Sequence, residues 1–316
     1  MTVATVKVTI NGQDYNLTYN DDSQYWETTI TAPAETSGSN NNGAGPGVGA
    51  AAEGKGYYPV TVLVTDDATN TATCNDQTEG ALGQACRLKV LEKVLPVATI
   101  LSPTEGAYIK DSTPVISLQA TDSGSGINPT TGSLVIDSGT PIPITLTGSG
   151  TTYTASHTPT EALGNGSHTI TFTVRDYDGN VSSAASATFT IDTLPPTLEV
   201  TAPTEGLVTN QTSINVVGIA TDAHSSPVTV TISVNSADQG AVSLDGEGNF
   251  TKAVTLQNGA NVITVVATDE SGQSTTVTRN VTVSTTAPVI EEIIITPNPV
   301  DGGQTYTIQV KVTDSA

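Results

Sequence analysis

Hydrophobic and polar positions alternate in three stretches of the chain that resemble one another. The clearest is residues 261–273, NVITVVATDESGQ, and its counterparts are residues 168–180, HTITFTVRDYDGN, and residues 58–70, YPVTVLVTDDATN. A two-residue period predicts a β-strand with one buried face. Each alternating half ends at an aspartate and a short polar segment, which predicts a turn. We therefore predict one β-sandwich per copy, with roughly 100 residues to each.

A second repeated pattern indicates where the sandwiches begin. A strand, a PTEG turn and a second strand that ends in aspartate follow Pro96, and the same order follows Pro196. A related opening follows Pro288. The linkers DTLPPT and STTAPV carry proline, which stiffens a connection and blocks accidental strand pairing. We expect an all-β chain of tandem β-sandwich domains in an elongated rod, divided at 1–95 (a partial or variant domain), 96–195, 196–287 and 288–316 (an opening hairpin).

The first segment contains a long loop, predicted over residues 33–57. Within it, residues 37–56 read SGSNNNGAGPGVGAAAEGKG, small residues with no periodicity. Such a composition buries too little apolar surface to order itself. A mobile loop and a partner-binding tip are both compatible with it. The aromatic residues that we expect to form a contact surface with this loop are Trp26, Tyr57 and Tyr58.

Charge excludes some classes of partner. The chain has 10 Lys and Arg against 31 Asp and Glu, a formal net charge of −21. That field repels nucleic acid phosphates and anionic lipids, so we expect no nucleic acid partner. No uninterrupted apolar run approaches the roughly 18 residues of a membrane span, so we expect no membrane insertion. The first residues, MTVATVKVTINGQ, predict a strand and not a secretory signal.

The two cysteines, Cys74 and Cys86, bracket the segment NDQTEGALGQA. A disulfide that closes this loop and a pair of free thiols are equally compatible with the spacing. A metal site is disfavoured, because two thiols with no nearby histidine leave a tetrahedral ion half coordinated.

Candidate metal chemistry is limited to aspartate-rich turns. Asp176, Asp178 and Asn180 in DYDGN resemble the start of a Ca²⁺ loop, but the later ligands are absent and a turn accounts for them as well. A Ca²⁺ ion bridging domain ends is a further possibility, through Asp66, Asp67 or Asp269. No nucleophile elbow and no P-loop lysine occur in the sequence. We expect no enzymatic activity and no cofactor, with Ca²⁺ left open.

The repeated motifs carry a resemblance. TD-x-x-G-[NQ], the preceding L-x-N-G and the opening P-T-E-G resemble bacterial immunoglobulin-like (Ig-like, Big-type) domains over residues 96–287 and partly over 288–316. The first segment, with TVKVTINGQDYNLTYN and GYYPVTVLVTDDATNTAT, is similar to Ig-like proteins of phage and prophage tail gene clusters. The resemblance implies a non-enzymatic structural or adhesion protein of a virion tail, a spacer or decoration that contacts the host surface or its glycans.

Two other roles fit the same features. One is a bacterial cell-surface adhesin or extracellular filament subunit, and the other is an accessory carbohydrate-binding region of a longer enzyme. Residues 288–316 supply the opening strands that residues 1–95 lack. The last strands can therefore reflect a truncation, or they can complete domain 1–95 of another copy by strand addition. The expected partners are accordingly other virion or surface proteins, with self-association through 288–316 as an alternative.

Overall fold

In a computed structural model of the protein, residues 2–10, 12–32, 48–50, 55–88 and 90–314 are described. Strands account for nearly all regular structure in these ranges, where the single helix is α1 (Ala81–Ala85). The all-β prediction is therefore confirmed. The chain divides into two compact units, the first with Met1–Ala107, Thr113–Leu163 and Ser167–Phe189, and the second with Tyr108–Ser112, Gly164–Gly166 and Thr190–Ala316.

The first unit begins with one antiparallel sheet. Its strands are β1 (Val3–Ile10), β2 (Gln13–Asn20), β3 (Tyr25–Glu27), β4 (Val48–Ala50) and β5 (Lys55–Asp66), in the order β3-β2-β1-β5-β4. Two short strands also pair with β5, namely β6 (Thr71–Cys74) and β7 (Arg87–Leu88). Alternation along β1 buries Val6 and Ile10. Most of the predicted loop over residues 33–57 lies outside the described residues.

The next module is a sandwich of two sheets. One sheet has the order β13-β14-β10-β8, and the other has β12-β11-β15-β16, with β9 in parallel on the last residues of β16. Alternate side chains of β10 and β15, such as Leu118 and Phe172, are fully buried. The strands are β8 (Val97–Ser102), β9 (Tyr108–Ile109), β10 (Ile116–Thr121), β11 (Gly132–Ile136), β12 (Ile142–Ile144), β13 (Thr147–Ser149), β14 (Thr152–His157), β15 (Gly166–Thr173) and β16 (Ala185–Ile191).

The second unit contains a similar sandwich. Its sheets have the orders β17-β19-β22 and β18-β24-β23-β20-β21, and one apolar core joins them, with Phe250 from the first and Ile263 from the second. The predicted inward face of residues 261–273 is confirmed, since Ile263, Val265 and Ala267 are all 0% exposed. The strands are β17 (Thr197–Ala202), β18 (Leu207–Thr209), β19 (Ser213–Thr221), β20 (Thr229–Val234), β21 (Ala237–Asp238), β22 (Asn249–Thr255), β23 (Gly259–Thr268) and β24 (Ser274–Val283).

A separate hairpin follows, made of β25 (Val289–Thr296) and β26 (Thr307–Thr313). Within the described ranges these strands form a sheet with each other only. Cross-strand partners share a face of an antiparallel pair. One face is therefore apolar, and all six of its side chains are exposed: Ile290 with Val312, Ile293 with Val310, and Ile295 with Ile308.

Candidate metal centres

Three buried carboxylates from distant parts of the chain meet in the first unit, and we call them the Glu92 cluster. Glu92 lies between β7 and β8, Asp122 directly follows β10, and Asp176 follows β15. One carboxylate oxygen from each lies within 4.8 Å of the others, and the residues are 4%, 4% and 1% exposed. Because unpaired charges are costly in the interior, three adjacent carboxylates need a counter-charge or protons.

Turns hold the aspartates of the Glu92 cluster in place. Asp176 Oδ1 accepts the backbone N–H of Asn180 at 2.8 Å, and its Oδ2 accepts the Asn180 side-chain amide at 2.7 Å. Asp122 Oδ2 accepts the backbone N–H groups of Gly126 at 2.5 Å and Gly124 at 3.1 Å. The other oxygen of Asp122, Oδ1, is buried and has no hydrogen-bond partner among the described residues.

The segment that carries Glu92 is tied to the same turns. The Glu92 backbone N–H donates to Asp178 Oδ2 at 3.0 Å, and the Asn180 side-chain amide donates to the Glu92 carbonyl at 3.3 Å. The Glu92 carboxylate accepts the Ser125 backbone N–H. It also lies over Gly124, where a Cβ would be 1.4 Å from Glu92 Oε2. Glycine at position 124 therefore leaves the space that the carboxylate occupies.

A second group, which we call the Asp192 cluster, lies in the second unit. Asp192 directly follows β16, Asp222 follows β19 and Asp269 follows β23, and one carboxylate oxygen from each lies within 4.8 Å of the others. Asp192 is 0% exposed, Asp269 is 6% exposed and Asp222 is half-buried. Over the described ranges, Asp192 Oδ2 and Asp269 Oδ2 are buried oxygens without a hydrogen-bond partner.

The hydrogen bonds of the Asp192 cluster parallel those of the first. Asp269 Oδ1 accepts the Gln273 backbone N–H at 2.8 Å, as Asp176 does from Asn180. The Gln273 side-chain amide donates to the Asp192 carbonyl at 3.0 Å. In each unit, therefore, one turn closes on its own aspartate and also holds the backbone of the segment before the sandwich.

The two clusters occupy equivalent positions in the repeat. The first acid is offset by 100 residues (192 − 92), and so is the second (222 − 122). The third acid is offset by 93 residues (269 − 176), and so is the amide residue that closes its turn (273 − 180). The same group of carboxylates therefore occurs twice, once at the start of each sandwich.

Burial is the main electrostatic influence on these groups. It raises the pKa of Glu92, Asp122 and Asp192 above their usual values. Neighbouring carboxylates act in the same direction, because each of the three lies near other acids of its own cluster. Hydrogen bonds to the carboxylates lower the pKa of each acid, and His224 also lowers the pKa of Asp192, but each of these effects is smaller than that of burial. Both clusters therefore favour protons or a bound cation over bare charge.

The structure brings together some of the acids predicted from the sequence and not others. Asp176 and Asp269 each belong to a cluster, and Asp178 and Asn180 hydrogen-bond the Glu92 backbone beside the first. The predicted candidates Asp66 and Asp67 join no carboxylate cluster among the described residues. Both oxygens of Asp66 accept hydrogen bonds from Asn70. Four members were not predicted: Glu92, Asp122, Asp192 and Asp222.

The cysteines lie next to each other. Cys74 Sγ and Cys86 Sγ are 3.3 Å apart, and both are free thiols in the structure. Burial and the neighbouring thiol raise the pKa of Cys86 to about 11. The raised pKa makes this thiol a poor nucleophile at neutral pH. The disulfide stays a prediction that the proximity of the two sulfur atoms supports.

The predicted contact surface needs one correction. Tyr58 is 2% exposed, so its assignment to a contact surface is wrong. The two tyrosines are consecutive on β5, so their side chains point to opposite faces of the sheet and Tyr58 takes the buried one. Tyr57 is half-buried, and its hydroxyl donates to Asp76 Oδ2 at 3.1 Å. Trp26 is half-buried, with its ring centroid 5.7 Å from that of Tyr19.

Two family models match consecutive parts of the chain. Residues 104–193 match a bacterial Ig-like domain, and residues 196–285 match domain B of glucodextranase. This is a tandem immunoglobulin-like domain protein. The second match covers the whole second sandwich, and the first match covers the first sandwich except β8. Of the six clustered acids, five lie within the matched ranges and Glu92 lies before them. The domain boundaries predicted at residues 95, 195 and 287 stay predictions.

One curated relative is the Bacillopeptidase F of Bacillus subtilis (strain 168). It is 29% identical over 132 residues, which is 42% of this chain and 9% of the relative. The chain therefore spans less than a tenth of the length of that protein. Similar solved structures include the fibronectin(III)-like modules of CbhA from Clostridium thermocellum, at 20% identity and a TM-score of 0.38 over 60% of this chain and 94% of that one.

A second similar structure concerns host cell surface retention of a 1.5-MDa bacterial ice-binding adhesin. It is 18% identical, with a TM-score of 0.30 over 90% of this chain and 87% of that chain. The described part of this chain contains no helix with the length and apolar character that crossing a membrane requires.

Proposed function

We propose that the chain is a non-enzymatic structural and adhesion protein of a virion tail, in which Ig-like domains act as spacers that present a host-contacting surface. The observation that supports this proposal is the bacterial Ig-like match over residues 104–193, followed directly by a second domain match over residues 196–285. Ig-like domains are typically non-catalytic supports whose specific roles lie in their surfaces. The tail assignment rests on the resemblance of residues 1–95 to Ig-like proteins of tail gene clusters.

The contact surface that we favour is on the first sheet. The rings of Tyr19 and Trp26 form a tilted pair at 56°. Tyr19 lines an open pocket of about 620 Å³, and Trp26 lies against the Tyr19 ring. The rest of the lining is polar and acidic: Thr18, Asn20, Asp21, Asp22 and Glu27. Sugars stack on aromatic rings and hydrogen-bond to carboxylates and amides, so this combination suits a host glycan.

The location is tested by immunogold electron microscopy with an antibody raised against the purified chain. Gold on the tails of released particles is the expected result. Gold on the cell envelope with unlabelled particles would favour the alternative, a bacterial surface adhesin. Glycan contact is tested separately by array binding of the wild-type chain and of Trp26→Ala. Loss of binding in Trp26→Ala, with binding kept in the exposed-aromatic control Tyr306→Ala, is expected.

A second role, strand addition between copies, is favoured by the hairpin of β25 and β26. A two-stranded hairpin is at best marginally stable in water, and this one exposes an apolar face of six residues. Covering that face with the first sheet of another copy would link copies through domain 1–95. We expect concentration-dependent association in sedimentation experiments, which Val310→Lys abolishes. Gln309→Lys, on the opposite face, is the control, and a wild-type chain that stays monomeric at high concentration contradicts this role.

A further inference from the structure

We propose that the Glu92 cluster and the Asp192 cluster each bind one Ca²⁺ ion, so that a cation holds the segment before each sandwich to that sandwich. The inference stands independently of the proposed function. The first observation is the charge in each cluster. Each cluster has three carboxylates in close proximity, and these carboxylates are nearly all buried. Neither an arginine nor a lysine forms an ion pair with these acids in the described ranges.

The second observation is the set of unused oxygen atoms. Asp122 Oδ1, Asp192 Oδ2 and Asp269 Oδ2 are buried and unpaired within the described ranges, although their residues use their other oxygens to close turns. Leaving a buried acceptor without a donor costs stability, so native proteins rarely do it without a purpose. Each cluster contains at least one such oxygen. A cation bound in each cluster would satisfy the unpaired oxygens of that cluster.

The donor set selects the ion. All members of both clusters offer carboxylate oxygens, which hard divalent cations prefer, whereas Zn²⁺ favours sulfur and nitrogen. Ca²⁺ accepts six to eight oxygens in flexible geometry, while Mg²⁺ needs a near-ideal octahedron and keeps several waters. Clusters assembled from three separate loops suit the more tolerant ion. The half-buried Asp222 lies on a surface pocket of about 260 Å³, which gives the ion a route from solvent.

The ligands also explain what the ion would do. In each cluster one acid belongs to the segment that precedes the sandwich, and the other two belong to loops of the sandwich. Glu92 is five residues before β8, and Asp192 is five residues before β17 (97 − 92 and 197 − 192). Binding would therefore fix the entry of the chain into each sandwich. Without the ion, the like charges oppose the same arrangement.

The start of the third repeat, at Pro288, can be compared with the starts of the two repeats that carry the clusters. Glu92 and Asp192 lie four residues before Pro96 and Pro196, and the residue four before Pro288 is Ser284. A serine supplies no charge and a weaker ligand. We therefore expect two Ca²⁺ sites over the described residues and none at the start of β25.

The test is calorimetric titration of the full chain with CaCl₂ at pH 7.5 after removal of divalent ions. Two bound Ca²⁺ ions per chain are expected for the wild type, one for Asp122→Asn, one for Asp192→Asn and none for the double variant. Asparagine keeps the shape and removes the charge, so these variants should stay folded in EDTA. The exposed Glu161→Gln is the control and should keep two ions.

Thermal unfolding supplies an independent measurement with the same proteins. Ca²⁺ should raise the melting temperature of the wild type and leave the double variant unchanged, and Mg²⁺ should have a much smaller effect. No binding to the wild type would overturn the proposal, and so would two ions retained by the double variant. Equal binding of Mg²⁺ and Ca²⁺ would overturn the assignment of the ion.

Discussion

Substituting Gly124 by alanine should weaken one cation site without removing any charge. A Cβ at this position would lie 1.4 Å from Glu92 Oε2 and 2.0 Å from the Glu92 carboxyl carbon. Non-bonded heavy atoms stay roughly 3.5 Å apart, so the carboxylate must move by about 2 Å. Ca²⁺–oxygen bonds are roughly 2.3–2.6 Å long, so a shift of that size takes Glu92 out of coordination.

The effect should separate binding from folding. Disturbing the groups that orient a metal ligand typically costs about 10- to 100-fold in affinity, and we expect a loss of at least ~10-fold at the Glu92 cluster. The backbone of Gly124 is outside the left-handed region, so alanine meets no backbone strain there. In EDTA the free energy of unfolding should therefore change by less than about 1 kcal/mol.

Calorimetric titration with Ca²⁺ resolves the two sites in this variant. The site at the Asp192 cluster should keep its affinity, because neither Gly124 nor Glu92 belongs to it, and the site at the Glu92 cluster should weaken. Gly246→Ala is a matched control, since a Cβ there meets no atom within 4 Å. Two sites of wild-type affinity in Gly124→Ala would refute the assignment of Glu92 as a ligand.

Three further predictions concern pH, thiols and a buried amide. Since the pKa values of Glu92, Asp122 and Asp192 are raised, the folded chain in EDTA binds more protons than the unfolded chain above about pH 4. The stability that these groups contribute is present at low pH and is lost as the pH rises through their raised pKa values. The increase in the free energy of unfolding on adding Ca²⁺, measured by urea titration, should therefore grow from pH 4.5 to 7.5. An increase that does not change with pH would contradict this prediction. Oxidising Cys74 and Cys86 should stabilise the first sheet by about 3 kcal/mol through loop closure, and an unchanged urea midpoint would argue against it. Asn261 is 1% exposed and makes four hydrogen bonds, two through Oδ1 and two through Nδ2. Asn261→Ala should therefore lower the free energy of unfolding in urea by about 2–4 kcal/mol. A loss under about 1 kcal/mol would contradict the stabilising role of these hydrogen bonds.

Local patterns were sufficient to predict the buried face of the strand in residues 261–273. The alternation of Ile263, Val265 and Ala267 predicts a buried face, and all three are fully buried in β23. The period of a strand depends only on neighbours in sequence, so a single sequence contains it. The face of β5 that is buried depends instead on how the sheet packs. The sequence alone therefore does not indicate that Tyr58 belongs to the core.

The acidic clusters could be predicted only in part, for a related reason. Asp176 and Asp269 can be predicted as candidate ligands because each lies in a turn that the sequence indicates. Their partner acids come from far along the chain, so composition and spacing near the turn do not indicate them. The 100-residue offset of Glu92 and Asp192 is visible in the sequence. The sequence does not show that these two acids lie beside other carboxylates, because only folding brings the three separated loops together.

Small-angle X-ray scattering of the full chain at neutral pH, recorded in Ca²⁺ and again in EDTA, tests the central claim most directly. A chain of spacer domains with cation-held entries should have a radius of gyration well above the ~20 Å of a 316-residue globule. Its scattering should also indicate a stiffer particle in Ca²⁺ than in EDTA. A compact particle near 20 Å would contradict the spacer role. Identical profiles in the two buffers would contradict a role for Ca²⁺ in holding the domain entries.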